Sequence, residues 1–129
     1  MVAKIRRYYT ALRRYNRSKG FGIHSPFAFS FVLRVLRERL PYYAYDDIEH
    51  RRQLAKSLAA AVSRHPKVIS SKNAKMIFRI ANYFNPRLIM QIGTSYGVST
   101  TAVLDVDSRS RLILYPGASP HEGIYNEIV

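Results

Sequence analysis

The residues best suited to chemistry stand in MQIGTSYGVSTT, residues 90–101, where Gly93 and Gly97 lie four apart between an apolar run and a helical pattern. A strand that enters a helix through such a turn leaves amides pointing out over the strand end, a small electropositive site that suits an anionic group. Gly93 permits the tight turn, and Gly97 permits close approach of the backbone to a ligand or a neighbouring strand. In open α/β sheets ligands bind outside the carboxyl ends of strands, where this turn lies. The spacing is Gly-x-x-x-Gly rather than Gly-x-Gly-x-x-Gly, and no lysine follows as in a phosphate-binding P-loop. Nucleotide phosphate binding is therefore a poor match, and a glycine turn that binds nothing is the plain alternative.

The elements that must position this turn are marked off by prolines at 26, 41, 66, 86, 116 and 120 and glycines at 20, 22, 93, 97, 117 and 123. Ile5, Tyr8, Leu12 and Tyr15 recur at helical steps with Arg6, Arg13 and Arg17 on another side, and Gly20-Phe21-Gly22 ends that helix. Ser25-Pro26 starts a second, with Phe29, Val32, Leu33, Leu36 and Leu40 as its core stripe and Pro41 as its stop. In the third, Asp46 and Asp47 suit a helix N-terminus, Leu54, Leu58, Ala61 and Val62 share a face, and Pro66 closes it. The fourth is capped by Ser70 or Ser71, buries Ile77, Ile80, Ala81 and Phe84, and stops at Asn85-Pro86. From Arg87 the pattern becomes strand, helix, strand (RLIMQIG, VSTTAVLD, RLILYPG), a β-α-β series of the parallel, right-handed kind. The residues after it, ASPHEGIYNEIV, are weakly patterned. The expected organisation is a helical region, 1–86, joined to an α/β part, 87–129.

The run MQIGTSYGVSTT resembles the first motif of class I S-adenosylmethionine-dependent methyltransferases, in the form found in O-methyltransferases of the catechol and caffeoyl-coenzyme A type. GFGIHSPFAFSFVLRVL, YDDIEHRR and IFRIANYFNP resemble the helical N-terminal part of bacterial proteins expected to be such enzymes. The resemblance implies a Rossmann-like core of which residues 87–129 are the first β-α-β unit, an incomplete sheet, in a cytoplasmic protein. It implies S-adenosylmethionine as cofactor, its methionine end held by Gln91, Gly93, Thr94, Ser95, Tyr96, Gly97 and Ser99. Gln91 stands where the family has an acid, and Tyr115-Pro116 falls where an acid would take the ribose hydroxyls. The expectation is an N-terminal fragment or degenerate copy, with no catalytic residue assigned and no activity by itself.

The charge points elsewhere. With 21 Lys and Arg against 8 Asp and Glu the chain carries +13, and residues 1–20 hold Lys4, Arg6, Arg7, Arg13, Arg14, Arg17 and Lys19 with no acid. Arginines interleaved with Tyr8, Tyr9 and Tyr15 suit nucleic acid or another anionic partner, because aromatics stack on bases while arginines neutralise phosphates. Against this, the tyrosines face a core and the arginines form a solvated face. A basic, acid-poor start also fits a mitochondrial-type presequence. The absence of cysteine excludes disulfides, thiolate metal sites and a cysteine nucleophile.

No apolar run reaches the ~20 residues of a membrane span. His24, His50, His65 and His121 are scattered, so no metal site is assigned, though His24 beside Ser25 belongs to the helix cap or a pocket. Asp46, Asp47 and Glu49 fit dipole compensation, and Asp105 and Asp107 loops. A third role is an interaction module whose sheet edge and apolar faces are completed by a partner chain or by self-association.

Overall fold

The computed structural model describes residues 6, 9–11, 13–15, 24–115 and 122–129. It is a mixed α/β protein with a two-stranded parallel sheet. Its contacts group it into two compact units, Met1–Leu40 and Pro41–Val129, so the two helices before the strands lie with the strands rather than apart from them. Among the described residues no helix is long and apolar enough to cross a membrane.

In the first unit the described residues between 6 and 15 are helical, and Tyr9 and Tyr15 are 67% and 54% exposed rather than turned to a core. Ile5, Tyr8, Leu12, Arg17 and the Gly20–Gly22 stop lie outside the described residues. Helix α1, Pro26–Phe31, starts as expected: Ser25 Oγ accepts from the Ala28 amide at 3.3 Å, and Pro26 has no amide to satisfy. It widens into a π-turn, Val32–Leu36, and ends there, short of the expected stop at Pro41. The cause is Glu38, whose Oε1 accepts from the amides of Arg39 (2.7 Å) and Leu40 (2.8 Å) and so gives them an alternative to a helical ladder. The wider turn also shifts the stripe: Val35 is buried, whereas Phe29, Leu33, Leu36 and Leu40 are exposed.

The second unit holds α2 (Ala44–Val62), α3 (Ser71–Phe84), β1 (Leu88–Ile92), α4 (Val98–Leu104), β2 (Arg111–Tyr115) and α5 (Glu122–Ile128). Helix α2 carries Asp46 and Asp47 in its first turn, but its buried face is Ala44, Ile48, Ala55 and Ala59, with Leu54 and Leu58 at its margin and Ala61 and Val62 exposed. Alanines win the inner positions because α2 meets α3, α4 and α5, and small side chains let helix backbones approach closely. Ser70 caps α3 through the Asn73 amide (3.3 Å), and Asn85, left-handed at φ 43°, ends it. The buried residues of α3 are Ala74, Phe78 and Ala81, with Ile77 and Ile80 half-buried and Phe84 exposed. Phe78 takes edge contacts from Tyr42 and Tyr45, at 5.5 and 6.0 Å between ring centres. Arg51 bonds both carboxylate oxygens of Asp105, at 2.9 and 2.7 Å, tying the end of α4 to α2.

The strands pair in register from Leu88 opposite Arg111 to Ile92 opposite Tyr115. Ile89, Gln91, Leu112 and Leu114 alternate into the half-buried side, and the intervening residues are exposed.

One contact on α2 carries a pH dependence. The Glu49 carboxylate accepts from Arg52 Nη2 at 2.6 Å and from Gln53 Nε2 at 2.8 Å. The Arg52 hydrogen bond, opposed by desolvation and helped by bonds from Ser71 and Gln53, lowers its pKa from 4.5 to about 2. A carboxylate depressed in the folded state stabilises above its unfolded pKa, and that contribution is lost as pH falls through the folded value. Resistance to urea should therefore decline from pH 4.5 down to about 2, and the decline should be shallower in Glu49→Gln. Parallel declines in the two proteins would show that the contact does not stabilise the fold.

Candidate functional site

The glycine turn is built from the strand end. Past Ile92 the Gly93 amide donates to Tyr115 O at 2.8 Å, which fastens the turn to the end of β2. Gly93 and Gly97 both lie at φ 82°, the left-handed region that favours glycine, and Ser95 joins them at φ 45°. A serine there costs about 1 kcal/mol, the kind of local strain that collects at functional sites. The Gly97 amide donates back to Thr94 O at 3.0 Å, its carbonyl accepts from the Thr101 amide at 3.0 Å, and α4 begins.

The seven residues assigned to a cofactor by resemblance separate into two groups. Gln91, Gly93 and Gly97 build the turn: Gln91 Nε2 donates to Gly93 O (2.9 Å) and Oε1 accepts from Thr100 Oγ1 (3.0 Å), while the Gly93 and Gly97 amides are engaged as above. These two amides are therefore not offered to a ligand. The other four, Thr94, Ser95, Tyr96 and Ser99, stand on the turn and the first turn of α4. Ser95, Tyr96 and Ser99, with Val98 and with Lys67, Val68 and Ile69, line a cleft of about 160 Å³. Thr94 is 4% exposed, and its Oγ1 is buried with no hydrogen-bond partner among the described residues. A buried unpaired hydroxyl costs about 1–3 kcal/mol, which makes Thr94 the atom here that most needs a partner.

Two features escape the sequence patterns. Lys67 joins the lining of the cleft from the extended segment between α2 and α3, which has no periodicity to mark it; the only signal is Pro66, which favours extended chain. Gly97 lies close against the end of α5. A Cβ built there would meet Val129 Cγ2 at 2.9 Å and Ile128 Cβ and Cγ2 at 3.3 Å. Pro116 and His121 lie outside the described residues. Among the described residues no three His, Cys, Asp or Glu side chains gather into a metal-binding group.

The two glycines should respond differently to a methyl group. Gly93→Ala meets open space and should lose only the left-handed penalty, about 1–2 kcal/mol. Gly97→Ala should lose about 1–3 kcal/mol more, because Val129 can swing aside but buried Ile128 cannot. Urea unfolding of both variants checks this, and equal losses would mean that α5 does not rest on Gly97.

No protein-family model, no curated protein and no solved structure matches this chain, so what the turn can hold is argued from its own geometry.

Proposed function

We propose that residues 88–115 form the first β-α-β unit of a Rossmann-like methyltransferase core, and that its glycine turn holds the carboxylate of S-adenosylmethionine or of its demethylated product. The observation that carries this is Thr94 Oγ1, buried and without a partner among the described residues in a turn bent by three left-handed residues. The resemblance of MQIGTSYGVSTT to the methyltransferase motif supplies the ligand's identity. Bound S-adenosylmethionine brings an electrophilic methyl group; the protein's part is to grip and orient it. The cleft lined by Ser95, Ser99 and Lys67 receives the carboxylate, and Thr94, whose buried hydroxyl is not part of that lining, turns to donate to it on binding. Gln91 keeps to the turn and is not assigned to the ligand's ammonium.

Calorimetric titration of the chain with S-adenosylhomocysteine is the test. Saturable binding is expected, nearly unchanged between about 50 and 300 mM salt because it rests on close hydrogen bonds rather than on a long-range field. Thr94→Val keeps the shape and removes the hydroxyl, so it should weaken binding by ~10-fold while leaving the free protein as stable or more stable. A folded chain that does not bind, or a Thr94→Val variant that binds as well, would sink the proposal.

A second role has its own observation: Arg6, Arg13 and Arg14 are exposed on the same helical stretch as exposed Tyr9 and Tyr15. Cations beside accessible rings are what a single-stranded nucleic acid grips, phosphate by charge and base by stacking. Anisotropy of a labelled single-stranded oligonucleotide should then report an affinity that falls steeply with salt and vanishes when Arg13 and Arg14 are both changed to Glu. An affinity indifferent to salt would refute this role.

A further inference from the structure

The side of the sheet away from α3 and α4 is a two-by-three grid, with Leu88, Met90 and Ile92 on β1 facing Arg111, Ile113 and Tyr115 on β2. Five of these six are apolar or aromatic, and all five are exposed: Leu88 61%, Met90 65%, Ile92 83%, Ile113 41% and Tyr115 55%. Parallel sheets are normally covered on both faces. Together the five side chains present on the order of 600 Å² of surface, as large as the biggest patch on an ordinary monomer.

The geometry points to a second copy of this chain as the occupant, the two sheets packing face to face about a twofold axis that runs across the strands at the Met90–Ile113 row. Three observations support it, none of which depends on the cofactor proposal. Two such patches apposed would bury roughly 1,200 Å², the lower bound of a stable interface. The axis also makes the grid self-complementary. Met90 meets Met90 of the other copy, Leu88 meets Ile92, and Arg111, the one charge on the face, meets Tyr115, whose ring can accept a guanidinium. Finally, the basic excess is concentrated in the unit that does not hold the sheet. Residues 1–40 carry ten Lys and Arg against one acid, whereas residues 41–129 carry eleven against seven. Charge on the sheet-bearing unit therefore opposes the pairing only weakly, and salt screens it within about 8 Å.

Sedimentation velocity of the full chain from about 1 to 200 μM tests this over the micromolar range that an interface of this size allows. A concentration-dependent dimer is expected, with Ile92→Lys raising its dissociation constant by at least ~30-fold, because it sets an unpaired charge against the apolar Leu88 of the other copy. Ile92 is largely exposed in the monomer, so the variant should keep the helical circular dichroism of the parent. Met90→Cys, in a chain with no other cysteine, should couple to its copy through a bis-maleimide of about 10 Å, the spacing of packed sheets. A chain that stays monomeric overturns the proposal, whether the face is then left to solvent or taken by a different protein. A dimer indifferent to Ile92→Lys overturns it as well.

Discussion

The contact of Ile128 and Val129 with the bare Cα of Gly97 is the constraint on which the larger unit depends. Ile128 belongs to the same cluster as Ala44, Ile48, Ala55 and Tyr96, so α5 can reach that cluster only by passing over the turn without a side chain in its way. The alanines continue the same logic. Ala44, Ala55, Ala59, Ala74 and Ala102 are buried where helices meet, and Phe78 is the largest side chain fully enclosed among them. Close backbone approach substitutes here for bulky side chains, because dispersion depends on contact distance as much as on residue size. The cost is intolerance: with backbones this near, an added methyl finds no room.

What was legible in the sequence was local chemistry. Ser25-Pro26, Ser70 and Asn85-Pro86 mark helix ends because capping and left-handed termination are decided within a few residues, and the strand-turn-helix-strand order from Arg87 follows from apolar runs broken by glycines. What was not legible depends on distant partners. The inner face of α2 consists of alanines because of what packs against it, whereas its leucines, the stronger signal, lie at the margin. Helix α5 was hidden because EGIYNEI contains a glycine and only a short apolar stripe, and its order comes from the core it covers. The early end of α1 came from a carboxylate competing for two amides, which no periodicity records.

Gln91 shows how structure and site share residues. The resemblance to the methyltransferase motif would expect an acid at this position, whereas in the fold the two-ended amide of Gln91 both donates to Gly93 O and accepts from Thr100 Oγ1. A glutamate could accept from Thr100 but would set a carboxylate oxygen against the Gly93 carbonyl. The turn is thus braced by a neutral group, and the one cationic residue on the cleft lining among the described residues, Lys67, comes from outside the motif.

The strands carry the last step. LIMQI and LILY are apolar at nearly every position, the pattern of strands buried on both faces rather than on one. The helices satisfy half of that pattern, covering Ile89, Leu112 and Leu114, and even there an apolar groove of about 210 Å³ remains open between Phe84, Ile80, Ile89 and Val103. The other half is met by nothing within the described residues. Alternation of apolar and polar residues would have cost such short strands little and would have kept that face in water. Apolar residues on both faces are therefore better explained by a surface built to be covered than by a sheet built to stand alone.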